Sequence, residues 1–129
     1  MGHEKQAFFQ VENFSRWAKK ILTDAQLRAA AQEILYGQFE ADLGGGVCKK
    51  RIAIAGKGKS GSTRTLVAKS SPIGVFFMAG RSKNDPGTDF SAASVAQALI
   101  IAEDLQAATL EQIEEAIQDG YIEELKDVR

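Results

Sequence analysis

Nine lysines and arginines, and no carboxylate, lie between Lys49 and Lys83. Lys49 and Arg51 stand two apart in a run from Val47 to Ala55 that alternates with a period of two, so their side chains leave one face of a strand. Arg64 opens a second β-rich run, Arg64 to Lys69, expected to pair antiparallel with the first. Arg81 and Lys83 follow a third run, Ile73 to Ala79, and Lys57 and Lys59 sit on the link between the first two. One twisted sheet can thus gather several cations around a phosphate. Arginine gives bidentate contacts, and lysine gives a point charge or, after losing its proton, a base.

Such a set could cleave RNA without histidine. Attack of a 2′-OH on its neighbouring phosphate needs a base, stabilisation of charge on phosphorus, and a proton for the leaving 5′-oxygen. Arginine cannot be the base, because its pKa stays above about 12. A lysine crowded by cations gives up its proton more readily, which makes Lys49 or Lys50 beside Arg51 the candidate base. Arg64 and Arg81 would stabilise the developing negative charge. The alternative is that the same residues bind backbone phosphates or an acidic partner and catalyse nothing.

Other chemistries find less to work with. Ala53 to Ser60 nearly spells a phosphate-binding loop, but Ala53 replaces the first glycine and the following segment reads as strand where a helix is required. His3 is the sole histidine and Cys48 the sole cysteine, so no nitrogen and sulfur ligand set forms, and no cofactor is called for. Glu111, Glu114 and Glu115 read as a solvated helix face. Cys48 reads as a small, half-buried strand residue with no histidine to activate it.

The charge is strongly segregated: residues 1–42 carry −1, residues 43–84 carry +9 and residues 85–129 carry −9. A basic surface that attracts polyanions is expected unless the acidic third folds back over it. The 129 residues are 44% apolar and 26% charged, enough for one domain with its own core. No apolar run nears the roughly 20 residues of a membrane helix. Residues 1–15 lack the pattern of a secretion signal, and a lone cysteine fits a reducing cytoplasm.

These cations need a scaffold, and the periodicity supplies one. A short strand over 6–11 precedes a helix capped by Asn13, with Phe14, Trp17, Ala18 and Ile21 inward. Thr23 to Gln26 is a capping box for a second helix carrying Leu27, Ala30, Ala31, Ile34 and Leu35, stopped by Gly37. Three antiparallel strands follow, with an exposed, mobile link over Gly56 to Ser62 and a turn at Ser70-Ser71-Pro72. Val95, Ala98, Leu99, Ala102 and Leu105 then line a third helix. A second capping box, Thr109 to Gln112, opens a fourth with Leu110, Ile113 and Ile117 inward and Gly120 at its end. The expected fold is α+β: one domain over 1–129, an N-terminal helical hairpin packed on a small antiparallel sheet (core about 8–84), and a C-terminal helical extension about 90–120.

Four strings carry a resemblance: Phe14-Ser-Arg-Trp-Ala-Lys-Lys20, Ala41-Asp-Leu-Gly-Gly-Gly-Val-Cys-Lys-Lys-Arg-Ile52, Gly58-Lys-Ser-Gly61 and Arg64-Thr-Leu-Val-Ala68. In this order and spacing they resemble RelE/HigB-type toxins of the RelE/ParE superfamily of bacterial toxin–antitoxin modules. The resemblance implies a compact α+β toxin that enters the ribosomal A site and cuts mRNA without metal. It also implies an antitoxin partner, typically a helix-turn-helix protein. The family's basic strand residues fall on Lys49 and Arg51, its strand arginine on Arg64, and its late basic cluster on Arg81 and Lys83. Where some relatives carry a tyrosine beyond that cluster, this chain has Phe90, which can stack on a base but cannot transfer a proton. A non-catalytic relative, or an inhibitor of a DNA-handling enzyme, is the alternative within the same superfamily.

Overall fold

A computed structural model describes residues 7–54, 62–82, 85–87 and 89–126. In chain order the elements are β1 (Ala7–Val11), α1 (Glu12–Ala18), α2 (Asp24–Leu35), β2 (Ala41–Gly44), β3 (Val47–Ala53), β4 (Ser62–Ala68), β5 (Gly74–Arg81), α3 (Ala92–Ala107), α4 (Leu110–Gln118) and β6 (Ile122–Glu124). The strands form one six-stranded sheet in the order β2-β3-β4-β5-β1-β6. The sheet is mixed, which corrects the expectation of a small antiparallel one. β1 runs parallel to β5, whereas the other neighbours are antiparallel.

Alternation along the central strands sends side chains into two separate cores. Phe8, Cys48, Val67, Val75 and Phe77 meet Phe14 and Ala18 of α1 and Leu27, Ala30, Ala31 and Ile34 of α2. Phe9, Val47, Leu66, Ala68 and Phe76 meet Ala98, Ala102 and Leu105 of α3 and Ile113 of α4. Each sheet face is therefore covered by a pair of helices, and Cys48 is fully buried where half-burial was expected.

Both capping boxes form as read, Thr23 with Gln26 and Thr109 with Gln112. The Asn13 cap does not. α1 starts at Glu12 directly out of β1, and the Glu12 amide donates to the Tyr121 carbonyl at 3.0 Å, so a tertiary contact replaces the side-chain cap. Leu35 and Leu110, expected inward, are exposed at helix ends.

The decisive irregularity is a β-bulge. Val67 pairs with Phe77, yet Leu66 pairs with Ala79, so Met78 is the extra residue on β5. Strict alternation from Phe77 would turn Arg81 toward the α1/α2 face. The bulge flips the phase, sends Arg81 to the α3 face, and lays Gly80 against Trp17 of α1.

Candidate functional site

Pairing between β3, β4 and β5 sets Arg51 opposite Arg64 and Arg64 opposite Arg81. Directly paired residues share a face, so three arginines form one row across the sheet, on the side that α3 only partly covers. Lys49 belongs to the next row on that face, opposite Leu66. Like charges placed directly opposite one another oppose strand pairing. An anion near the row, external or internal, relieves that repulsion.

The internal anion is Asp89, in the loop that leads into α3. Its Oδ2 accepts from the Lys49 ammonium in a short ion pair, and its Oδ1 accepts from the Phe90 amide at 2.7 Å. The Lys49 hydrogen bond, then the Phe90 amide, together with the charges of Lys49 and Arg64, hold the Asp89 carboxyl below the usual carboxylate range. Glu40 lies at the other side, where its Oε1 accepts the Arg51 amide at 2.7 Å and caps the edge of β3 beyond the end of β2. These groups surround a cavity of about 230 Å³ lined by Glu40, Ala41, Lys49, Lys50, Arg51, Arg64 and Asp89.

Arg81 faces the same side but is committed elsewhere. Its guanidinium donates to the carbonyls of Asp85 (3.1 Å), Pro86 (3.1 Å), Gly87 (2.8 Å) and Asp89, closing the loop around itself. Phe90 is half-buried against the α3-side core, so it pins the loop to the sheet. Lys50 borders the cavity, but its ammonium is not brought to the other cations. It is 6% exposed on the opposite face, where its ammonium pairs with Glu33 of α2 at 2.7 Å and donates to the Gln38 carbonyl at 2.9 Å. Lys57, Lys59 and Lys83, with most of the Gly56–Ser62 link, lie outside the described residues. β4 begins at Ser62, and this strand is where a nucleotide-binding loop would need a helix.

Asp89 and Glu40 are not among the residues that the sequence pattern singles out. Asp85 and Asp89 are the first carboxylates after the acid-free third, which is the one signal that marks them. Among the described residues, Lys49–Asp89 is the only ion pair that joins the basic third to the acidic third. The acidic third thus covers part of the basic face: Lys49, Arg64 and Arg81 are half-buried, and Arg51 is exposed. Among the same residues no group of histidine, cysteine, aspartate and glutamate is placed to hold a metal ion, and no helix is long and apolar enough to cross a membrane.

The family model described as RelE toxin of RelE / RelB toxin-antitoxin system matches residues 6–125. The chain belongs to the RelE toxin family. It is thus a toxin of a toxin–antitoxin module, and an antitoxin partner is implied. A search of curated proteins finds no match. The RelE match spans every strand and helix described above, including α3, α4 and β6. The C-terminal helices are thus part of the RelE-type unit in this chain, and so is the loop that carries Asp89.

Proposed function

We propose that this RelE-family toxin is a ribosome-dependent endoribonuclease. It binds mRNA in the ribosomal A site and cuts it by attack of a 2′-OH on the adjacent phosphate. The products are a 2′,3′-cyclic phosphate and a 5′-hydroxyl end. The observation that carries this reading is the cross-strand row Arg51–Arg64–Arg81 with Lys49 beside it. Arg64, at the centre of the row, sits where a phosphodiester would be most strongly held, and its guanidinium stabilises charge that builds on phosphorus. Arg51 and Lys49 flank it. Arg81 contributes by shaping the loop, since both of its terminal nitrogens donate to loop carbonyls.

The reaction takes place in the cytoplasm, and a helix-turn-helix antitoxin holds the toxin silent until it is lost. Growth after tightly controlled expression in a bacterial host tests this, with primer extension on an abundant mRNA. Arrest with new, translation-dependent 5′ ends, both lost in Arg64→Ala, is the expected result. Intact mRNA in arrested cells would refute it.

One observation favours a second reading, binding without cleavage. Each lysine proposed as a base is ion-paired, Lys49 to Asp89 and Lys50 to Glu33, so neither is crowded by cations alone. Under that reading, salt-sensitive RNA binding persists and no ends appear.

A further inference from the structure

We infer that Asp89 is the general base of the cleavage and that Lys49 is its paired general acid; this rests on the mRNA-cleavage reading above. A base must lie within hydrogen-bond reach of the 2′-OH in a site that already holds the phosphate. Four groups in or beside the cavity could in principle accept a proton. Lys50 is engaged on the other face by Glu33 and Gln38. Glu40 has Oε1 held by the Arg51 amide and, among the described residues, no lysine paired with it to act as the matching acid. Lys49 presents an ammonium hydrogen-bonded to a carboxylate. Asp89 is the carboxylate that lines the cavity half-exposed and is hydrogen-bonded to a lysine able to supply the second proton. At rest Lys49 and the Phe90 amide engage its two oxygens, and Oδ2 is the one that substrate frees by drawing Lys49 away.

Its position is set by the fold. Arg81 binds the Asp89 carbonyl and three carbonyls just before it, and Phe90, next in sequence, packs into the α3-side core. The carboxylate is therefore presented from an anchored loop, which is what a base needs to be positioned before substrate arrives.

The substrate phosphate comes between the two partners and takes over the attraction of Lys49 and Arg64. The stabilisation of the Asp89 anion by those cations is then shared with the phosphate, and its affinity for a proton rises. Asp89 takes the 2′-OH proton as the O2′–P bond forms. The P–O5′ bond breaks, and the leaving oxygen takes a proton from the Lys49 ammonium. Asp89 is left neutral as the acid and Lys49 neutral as the amine. When products leave, the direct hydrogen bond between them re-forms and returns the proton to lysine, restoring the resting ion pair.

The groups facing the Asp89 carboxyl are Lys49 on β3, Arg64 on β4 and the Phe90 amide in its own loop, with Glu40 across the cavity. The cations keep it ionised below the usual range, so activity extends further into acid than an ordinary aspartate base allows.

The test compares wild type, Asp89→Asn and Asp89→Glu on mRNA-programmed ribosomes under single-turnover conditions, with binding measured to 2′-O-methyl mRNA that cannot be cut. Asp89→Asn is expected to cleave at least about 100-fold more slowly while binding equally or more tightly, because a negative charge leaves a cationic pocket. Asp89→Glu retains measurable cleavage, and the acid limb of the wild-type pH profile is absent from the residual activity of Asp89→Asn. Asp89→Asn cleaving at or above the wild-type rate would overturn the inference and make the carboxylate a mere counter-ion. Parallel loss of binding and cleavage would also overturn it, since Asp89 would then only hold the loop. Wild type that binds programmed ribosomes and cuts nothing would defeat the cleavage reading, and this inference with it.

Discussion

Lys49 and Lys50 are adjacent in sequence and lie on opposite faces of the sheet, one paired with Asp89 on the basic side and the other with Glu33 of α2. The separation divides their roles. Lys50 is a structural lysine: its stem is buried and its ammonium satisfies the Gln38 carbonyl. Lys50→Ala leaves that carbonyl and the Glu33 carboxylate without their donor. It is expected to lower stability by about 1–3 kcal/mol in denaturant melts. Lys50→Met, which keeps the stem, should lose less. Folded Lys50→Met should cleave RNA at the wild-type rate; loss of cleavage without loss of fold would return Lys50 to the site.

Gly80 is where the β5 backbone meets the Trp17 ring of α1. A Cβ there would lie 2.1 Å from Cζ3 of the Trp17 indole, too close for any rotamer to relieve without moving the ring. Gly80→Ala is therefore expected to cost roughly 1–3 kcal/mol of overpacking and to shift the emission of Trp17, the chain's sole tryptophan. Added to Trp17→Ala, the same change should cost less than the sum of the two, because the clash is gone. Additive losses would show that the contact is not what sets the cost.

Much of the architecture was legible before the structure. Both capping boxes, the glycine stops at Gly37 and Gly120, and the alternation that separates Lys50 from Lys49 and Arg51 are local signals carried by neighbouring residues. What escaped was non-local or too short to show a period. β2 has four residues and β6 three, and the parallel seat of β1 between β5 and β6 depends on partners far along the chain. The arginine row depends on cross-strand register and on the bulge at Met78, and neither leaves a trace in composition. Asp89 entered the site only because Arg81 folds its loop back over the sheet.

Arg81 donates to four carbonyls, a task that needs the planar fork of a guanidinium. Arg81→Lys is therefore expected to behave like Arg81→Ala and not like wild type. Both should release the segment between β5 and α3, seen as faster proteolysis there and faster amide exchange at Phe90, with little change in the global melting temperature. Rescue by lysine would show that charge alone suffices.

Cys48 gives a pH signature. Burial pushes its thiol up to about 12 from an ordinary 9.0. The folded chain thus keeps a proton that the unfolded chain loses, so this contribution to stability is full below about pH 9 and is lost as pH rises toward 12. Stability of wild type should fall through that window more steeply than that of Cys48→Ala, in which the thiol is removed. At pH 8 the thiol should resist alkylation until the chain is unfolded. Rapid alkylation of the folded protein would contradict its burial.

If the basic row cuts RNA by 2′-OH attack, the new ends carry the signature of that chemistry. The most direct measurement incubates the purified toxin with mRNA-programmed ribosomes and identifies the chemistry of the new ends. Wild type is expected to leave 2′,3′-cyclic phosphate and 5′-hydroxyl termini. Arg64→Ala is expected to lose at least about 100-fold in rate while its stability stays within about 0.5 kcal/mol. Ends bearing 5′-phosphate, or undiminished cleavage by the folded Arg64→Ala variant, would contradict 2′-OH attack at the basic row.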